Sequence, residues 1–205
     1  MRQLFATLLL LCATTVWAEP PNRAEDVKPL PAGSPLPNVS LQQIDGSTTR
    51  VLDALAGKPA VLVFFRGGWC PYCNRHLSSL RSIEAELGEL GYQLIAISPD
   101  SPQSLRAGIG KHKAEYTLLS DSSAEFIRAL GLAFKVDART REKYKGHGID
   151  LKQASGQEHF LLPVPAVYMV DRDGMITYRY ANPDYKVRMD NQELLKQARR
   201  AAAGG

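Results

Sequence analysis

The stretch AVLVFFRGGWCPYC, residues 60–73, determines how the chain around it folds. The run from Ala60 to Phe65 is continuously apolar, β-branched and aromatic, which is typical of a short strand buried on both faces. Arg66-Gly67-Gly68 supplies a turn, and apolar residues then recur at helical spacing from Cys70 until Gly91 ends the pattern. A buried strand that turns directly into a helix predicts an α/β domain.

Further strands and helices alternate along the chain after this unit. The sequence predicts strands at 94–98, 116–119, 166–170 and 175–180, the last two joined by a tight turn. It predicts helices opening at Ser101-Pro102 and covering 122–130 and 191–202. Residues 135–160 are polar and are predicted to form an excursion with one short helix. This order indicates an α/β sandwich with a central mixed β-sheet flanked by helices.

The first residues are typical of a secretory signal peptide. Arg2 precedes an apolar run from Leu4 to Ala13, and the small Ala18 is placed for cleavage before Glu19. We therefore expect residues 1–18 to be removed and the product to be exported, to the periplasm if the source is Gram-negative. An uncleaved N-terminal anchor is the alternative. Because the run is shorter than the ~20 apolar residues of a membrane span, no stable membrane insertion is expected after cleavage.

The rest of the chain has the size of one domain. The 205 residues divide into this signal peptide, a proline-rich tether at 19–35, one domain at 36–200 and a flexible tail at 201–205. The net charge is only +4, and the basic runs are short and lack interleaved aromatic residues. Nucleic acid is therefore not expected as a partner.

Cys70 and Cys73 are the candidate reactive residues, because the third cysteine, Cys12, lies in the signal segment. Cys70 opens a helix, where free backbone N–H groups and the helix dipole favour negative charge. Its pKa should therefore lie well below the ordinary ~8.5, and Arg66 and Arg75 would add to this effect. Cys73 follows one turn later on the same face, ~5–6 Å away between Cβ atoms. A disulfide needs ~3.8 Å, so a small adjustment lets the pair close.

Other interpretations of these residues stay open at this point. The two cysteines could form a permanent structural disulfide, or bind copper(I) or zinc together with His76, and with His159 from elsewhere in the chain. No cofactor is expected for a dithiol that exchanges electrons by itself. Trp69 either shields the thiol and contacts a partner or packs the turn. Pro71 stiffens the first helical turn, where its missing N–H costs nothing.

The segment Phe64 to Cys73 resembles the active-site segment of a peroxiredoxin-like branch of the AhpC/TSA (alkyl hydroperoxide reductase/thiol-specific antioxidant) family. Segments 97–100, 119–121, 164–174 and 182–185 match it in order, so the resemblance covers about residues 36–198. It implies a thioredoxin fold and a peroxidatic role for Cys70. Val164-Pro165 resembles the cis-proline element of that fold, which would leave backbone groups open to a bound extended chain; an ordinary trans proline is the alternative. The supporting site residues are then Arg66, Gly67, Gly68, Trp69, Pro71, Tyr72 and Pro165.

Two residues depart from the family pattern. Gly67 stands where the family carries a threonine or serine that hydrogen-bonds the peroxide, and Pro165 stands where it carries an arginine. Stabilisation of the transition state must then come from elsewhere, for which Arg66 and the N–H groups of the turn are the candidates.

The leading hypothesis is an exported thiol-dependent antioxidant oxidoreductase. Cys70 would reduce a hydroperoxide and become a sulfenic acid, Cys73 would resolve it to a disulfide, and a thioredoxin-like dithiol would reduce that disulfide. The alternatives are a thiol–disulfide oxidoreductase acting on protein disulfides and a copper(I)-handling protein. No role is predicted for Asp184, Tyr185 or Arg188, which lie in or next to the resembling stretch.

Overall fold

The structure, a computed structural model, describes residues 18–112 and 116–203, with the backbone alone at 109–112. The strands are β1 (Ser40–Gln43), β2 (Thr48–Arg50), β3 (Ala60–Phe64), β4 (Gln93–Ser98), β5 (Thr117–Ser120), β6 (Ala133–Lys135), β7 (Leu161–Pro163), β8 (Ala166–Val170) and β9 (Ile176–Ala181). The helices are α1 (Val51–Leu55), α2 (Pro71–Glu89), α3 (Pro102–His112), α4 (Glu125–Ala129), α5 (Ala138–Gly146), α6 (Leu151–Ser155) and α7 (Asn191–Ala203). A 3-10 turn precedes them at Ala24–Asp26.

A seven-stranded mixed sheet in the order β2-β1-β5-β4-β3-β8-β9 forms the centre. The central strand β3 is buried along its whole length, which explains its continuous apolar run. Val61 and Val63 face α2 and α7, whereas Leu62 and Phe64 face the opposite layer with α1 and α4. The predicted fold class, a mixed sheet flanked by helices, is confirmed.

The parallel pairing of β3 with β4 and β5 positions the site. Parallel strands end at the same edge of a sheet, so the turn after β3 and the loop after β4 meet there. Cys70 follows the first of these strands and Asp100 follows the second. The two segments are joined by a hydrogen bond from the Gly68 N–H to Asp100 Oδ2, 2.7 Å long.

The excursion between residues 135 and 160 differs from the prediction, because it contains two helices rather than one. Asp137 accepts a hydrogen bond from the Thr140 N–H at the start of α5, and Asp150 accepts from the Lys152 and Gln153 N–H groups at the start of α6. Each aspartate caps a helix whose few residues carry no apolar periodicity strong enough to reveal it. The short elements β1, β2 and α1 were missed for the same reason.

The predicted tether at residues 19–35 contains the 3-10 turn Ala24–Asp26, and it is hydrogen-bonded to the domain rather than free. The Leu30 N–H donates to the Leu130 carbonyl over 2.9 Å, and the Gly33 N–H donates to the Ile176 carbonyl over 2.8 Å. Gly131 has a φ of +67°, and a Cβ there would collide with the Lys28 carbonyl. Tether and domain therefore pack as one body along this edge.

The two ends of the chain were predicted to be a signal peptide and a flexible tail. Except for Ala18, the predicted signal peptide lies outside the described residues. Helix α7 continues to Ala203, so the first three residues of the predicted flexible tail are helical, and residues 204–205 are outside the described part. Within the described ranges, no helix has both the length and the apolar character needed to cross a membrane.

Candidate active site

Cys70 occupies the N-cap of α2, at the end of the turn that follows β3. Its N–H donates to the Gly67 carbonyl over 3.1 Å, which closes the turn, and Pro71 takes the first helical position. Both cysteines are free thiols, with exposed fractions of 1% for Cys70 and 0% for Cys73. The strand–turn–helix unit therefore brings the two predicted reactive sulfurs together on one buried face.

Cys73 is the main reason why Cys70 is acidic. The Cys73 thiol donates a hydrogen bond to Cys70 Sγ and thereby lowers the pKa of Cys70 to about 6, against the opposing effect of burial. The Cys73 N–H and the guanidinium groups of Arg66 and Arg188 lower it further. The same hydrogen bond, together with burial, raises the pKa of Cys73. At neutral pH Cys70 is therefore mainly thiolate, while Cys73 keeps its proton.

Arg188 supplies a charge that the sequence did not assign. Its Nη2 lies 3.4 Å from Cys73 Sγ, and its Nη1 donates to the carbonyls of Val187, 2.9 Å away, and Tyr185. Arg75, which was predicted to assist Cys70, instead lies 5.7 Å from the ring centroid of Tyr72. The loop after β9 thus provides the second guanidinium of the site.

Arg66 is enclosed by three aromatic rings. Its guanidinium carbon lies 4.3 Å from the ring centroid of Tyr185, 5.2 Å from that of Trp69 and 5.5 Å from that of Tyr144. The guanidinium also donates a hydrogen bond to the Tyr144 hydroxyl, and only 4% of the residue is exposed. Cation–π contacts and this hydrogen bond keep the buried charge beside the thiolate. We call these three rings the aromatic cover.

The loop containing Asp184, Tyr185 and Arg188 therefore has a structural role. Besides contacting Arg66, the Tyr185 ring packs edge-on against Tyr72 at a centroid distance of 5.7 Å. Asp184 accepts a hydrogen bond from the Lys186 N–H over 2.9 Å and so shapes the loop. In the sequence, the only signal for this loop was that residues 182–185 resemble the corresponding segment of the family, and that resemblance did not indicate what the residues do.

The geometry explains why Gly67 replaces a hydroxyl-bearing residue. Its φ is +152°, and a Cβ there would lie 2.7 Å from Asp100 Oδ1 and would overlap Trp69 Nε1. The indole of Trp69 and the carboxyl group of Asp100 therefore occupy the space of a side chain at residue 67. Burial raises the pKa of Asp100 to about 7, so this carboxyl group is partly protonated at neutral pH. Trp69 packs the turn here, which was one of its two predicted roles.

We expect Gly67→Ala to lower the free energy of unfolding by about 1–3 kcal/mol, the usual range for a strained backbone residue. Gly68→Ala is the matched control, because a Cβ at Gly68 meets only Asp100 Oδ2, at 3.7 Å. It should change the free energy by less than ~0.5 kcal/mol. Urea unfolding of both variants, followed by circular dichroism, measures the difference. Equal stability of the two variants would contradict the packing described for residue 67.

The prediction of a cis-proline element at Pro165 is wrong, because the peptide bond before Pro165 is trans. The neighbouring backbone groups are also not open to a bound chain. The Val164 N–H donates to the Leu132 carbonyl over 3.0 Å, and the Pro165 carbonyl accepts from the Asn182 N–H over 3.1 Å. These two backbone groups are hydrogen-bonded by residues next to the β6–β7 pair and in the loop after β9. The sequence predicted no contact of either segment with Pro165.

His76 and His159, the histidines that could have joined the two cysteines in a metal site, lie in different surroundings. His76 follows Cys73 by one turn, and burial, with a smaller effect of Arg188, lowers its pKa to about 4, so it is neutral. His159 uses both ring nitrogens elsewhere, with Nε2 2.9 Å from the Ser122 carbonyl and Nδ1 2.9 Å from the Leu161 N–H. Among the residues that the structure describes, no three His, Cys, Asp or Glu side chains are grouped so as to hold a metal ion.

The pH dependence of Cys70 can be tested with a small alkylating reagent. In the wild type, the reaction rate with iodoacetamide should rise through a midpoint near pH 6, since only the thiolate reacts. Cys73→Ala removes the hydrogen-bond donor and should move this midpoint upwards, whereas Cys73→Ser keeps a donor and should move it less. Rates measured from pH 4 to pH 9 give the three midpoints. If the midpoint of Cys73→Ala equals that of the wild type, the hydrogen bond from Cys73 is not the cause of the low pKa of Cys70.

Comparisons with known proteins agree with this geometry. The model of the AhpC/TSA family matches residues 32–179. A chloroplast peroxiredoxin Q from Triticum aestivum is 27% identical over 150 residues, which are 73% of this chain and 58% of that protein. The peroxiredoxin Q of Gentiana triflora is 31% identical over 100 residues, 49% of this chain and 46% of its own. The chain thus spans about half the length of these curated relatives.

A solved structure extends the comparison to the fold. The crystal structure of reduced Prx3 from Vibrio vulnificus in complex with H2O2 matches with a TM-score of 0.67 at 23% identity. The match covers 82% of this chain and 99% of that one. At this level of identity the likeness concerns the fold.

Proposed function

Since this chain belongs to the AhpC/TSA family, we propose that it is a peroxiredoxin-like thiol peroxidase whose reactive sulfur is Cys70. The observation that carries the proposal is the buried pair of free cysteines at the start of α2, where Cys73, Arg66 and Arg188 lower the pKa of Cys70 to about 6. A thiolate so stabilised is populated at neutral pH and is the nucleophile that hydroperoxide reduction requires.

In the first step, Cys70 Sγ attacks the terminal oxygen of the hydroperoxide and the O–O bond breaks. Cys70 becomes a sulfenic acid, and the leaving oxygen takes a proton and departs as water or an alcohol. Negative charge develops on that leaving oxygen. Arg66 and Arg188 are the charged donors near the sulfurs and would stabilise it, in place of the hydroxyl and the arginine that Gly67 and Pro165 replace.

In the second step, Cys73 Sγ attacks the sulfur of the Cys70 sulfenic acid, a disulfide forms and water leaves. The two sulfurs are already joined by a hydrogen bond, so this step requires no unfolding of α2. Arg188, 3.4 Å from Cys73 Sγ, favours loss of the Cys73 proton as the attack proceeds. An external dithiol protein of the thioredoxin type would then reduce the Cys70–Cys73 disulfide to the two thiols, and its own dithiol would be oxidised to a disulfide.

Stopped-flow fluorescence of the reduced protein mixed with hydrogen peroxide tests the proposal. Trp69 adjoins Cys70, and the other tryptophan, Trp17, lies in the predicted signal peptide, so the mature chain reports from a single indole. We expect a second-order signal far faster than the oxidation of a free thiolate of the same pKa. A rate no faster than that reference would overturn the peroxidase and make protein disulfides the working substrate class.

We also propose that the protein acts outside the cytoplasm, in a periplasm if the source is Gram-negative. The proposal is supported by the basic residue, the apolar run and the small residue at the N-terminus of the sequence. Fractionation of cells that express the full chain, with N-terminal sequencing of the product, tests it. A product that starts at Glu19 in the exported fraction is expected, and an uncleaved cytoplasmic chain would refute export.

A further inference from the structure

Asp100 is a buried carboxylic acid to which the proposed reaction assigns no step. The residue is 3% exposed, and its Oδ2 accepts the hydrogen bond from the Gly68 N–H in the turn before Cys70. None of the ion pairs that the described residues form involves Asp100. Because a buried carboxylate without a cation is costly in free energy, this position favours the protonated form of the group.

The main chain of Asp100 keeps its carboxyl group next to this turn. The Asp100 N–H donates to Ser98 Oγ over 3.1 Å, and the Asp100 carbonyl accepts from the Ser120 hydroxyl over 2.7 Å. These bonds tie the residue to the ends of β4 and β5. The turn itself is tied to α2, because Asn74 Nδ2 donates to the Gly68 carbonyl over 2.9 Å. The sheet and α2 therefore hold the carboxyl group in a fixed position relative to the reactive sulfur.

The charge that acts on Asp100 is the Cys70 thiolate. Burial is the main cause that raises the pKa of Asp100, to about 7, and the thiolate also raises it. The Gly68 N–H and the indole of Trp69, which belongs to the aromatic cover, lower it, and no cation of the described residues is among the groups that shift it. His159 lines a small cavity beside Asp100, but burial lowers its pKa, so this imidazole is neutral at pH 7.

We propose that Asp100 is a redox-linked proton store, which holds a proton while Cys70 is a thiolate and releases it when Cys70 is oxidised. As a step of hydroperoxide reduction the proposal rests on the proposed function. Attack by Cys70 forms the S–O bond and breaks the O–O bond, and the sulfur gives up two electrons and its negative charge. The leaving oxygen takes one proton, and Asp100, no longer opposed by the thiolate, releases one. A thiolate and a carboxylic acid thus become a sulfenic acid and a carboxylate, and the total charge is unchanged.

Carbon-13 NMR of the aspartate carboxyl carbons measures this linkage without any peroxide. The labelled protein is titrated as the reduced dithiol, as the disulfide formed with oxidised glutathione, and as Cys70→Ser, in which the thiolate is absent. The Asp100 midpoint should lie near pH 7 in the reduced protein. In the other two samples it should fall by about half a pH unit, a threefold change in the ratio of the two protonation forms. Asp100→Asn, whose amide oxygen can still accept from the Gly68 N–H, identifies the signal.

Asp121 is the matched control within the same spectra. Burial raises its pKa to about 7 as well, but its carboxyl group accepts from the Phe126 and Ile127 N–H groups, and no cysteine of the described residues is among the groups that shift it. Its midpoint should be the same in all three samples. An Asp100 midpoint that is also the same in all three, or that moves together with that of Asp121, would overturn the proposal. So would an Asp100 midpoint near the ordinary value of ~4 in the reduced protein.

The rate of oxidation by hydrogen peroxide, measured on the same protein, separates this inference from the proposed function. If peroxide reacts no faster than with a free thiolate while the Asp100 midpoint still depends on the oxidation state of Cys70, the peroxidase is refuted and the proton store stands. If peroxide reacts rapidly and the Asp100 midpoint does not depend on the oxidation state, the peroxidase stands and the proton store is refuted.

Discussion

Replacement of Cys70 by serine should reduce the consumption of hydrogen peroxide to the uncatalysed background. A serine hydroxyl at this N-cap position is not ionised near neutral pH, and its oxygen cannot form the sulfenic acid from which the disulfide arises. Because Cys70 is buried and bonded to Cys73, the substitution removes the nucleophile with little change in packing volume. The measurement is the stopped-flow signal of Trp69 together with the peroxide that remains.

The control for Cys70→Ser is its fold, followed by circular dichroism and by urea unfolding. A folded variant without activity assigns the reaction to Cys70. A folded Cys70→Ser protein that still consumes peroxide rapidly would transfer the peroxidatic role to Cys73. In the wild type the hydrogen bond to Cys70 is the largest cause of the raised pKa of Cys73, so this substitution would itself make the Cys73 thiol easier to ionise.

Replacement of Cys73 by serine should preserve the first oxidation of Cys70 and abolish repeated turnover. Cys70 would still reach the sulfenic acid, since serine keeps a hydrogen-bond donor beside its sulfur. Without a thiol to condense with, the sulfenic acid would persist and excess peroxide would carry it to the irreversible sulfinic acid. Intact-mass spectrometry should therefore detect one added oxygen atom at equimolar peroxide and two at excess.

The wild type serves as the comparison for Cys73→Ser. It should lose two hydrogen atoms on oxidation, the mark of an intramolecular disulfide, and gain no oxygen over the same range of peroxide. Sustained turnover of Cys73→Ser with a thioredoxin-type reductant alone would show that the external dithiol attacks the sulfenic acid directly. Cys73 would then not be the resolving residue.

The electrostatics of the site depend on partners that are distant in sequence. Arg66 bonds Tyr144, which is 78 residues away, and Arg188 contacts Cys73 across 115 residues. The sequence predicts a low pKa for Cys70 from the helix N-terminus, Arg66 and Arg75. In the structure the Cys73 thiol has the largest effect, and Arg188 takes the part predicted for Arg75. Spacing along one helix predicted that the two sulfurs lie together, as they do in the structure, but it carried no information about which cations lie near them.

The two departures from the family pattern have different origins. Gly67 was recognised as a missing hydroxyl, yet only the packing explains it, because Trp69 and Asp100 fill the space that a side chain would need. The family resemblance predicted a cis peptide bond before Pro165, but the bond is trans. The backbone groups around it are hydrogen-bonded to residues beside the β6–β7 strands and in the loop after β9. The short strands β6 and β7 and the loop after β9 carry too little periodic pattern to be predicted from the sequence.

The sequence alone determined the fold class, the buried strand β3 and the dithiol at the start of α2. These features depend on local patterns: a continuous apolar run, a glycine turn and two cysteines one helical turn apart. The tertiary structure decided that the proline-rich segment packs on the domain, that Arg188 reaches Cys73 and that three aromatic rings cover Arg66. Each of these is a contact between residues far apart in the chain, and such contacts exist only once the sheet has brought their elements to the same edge.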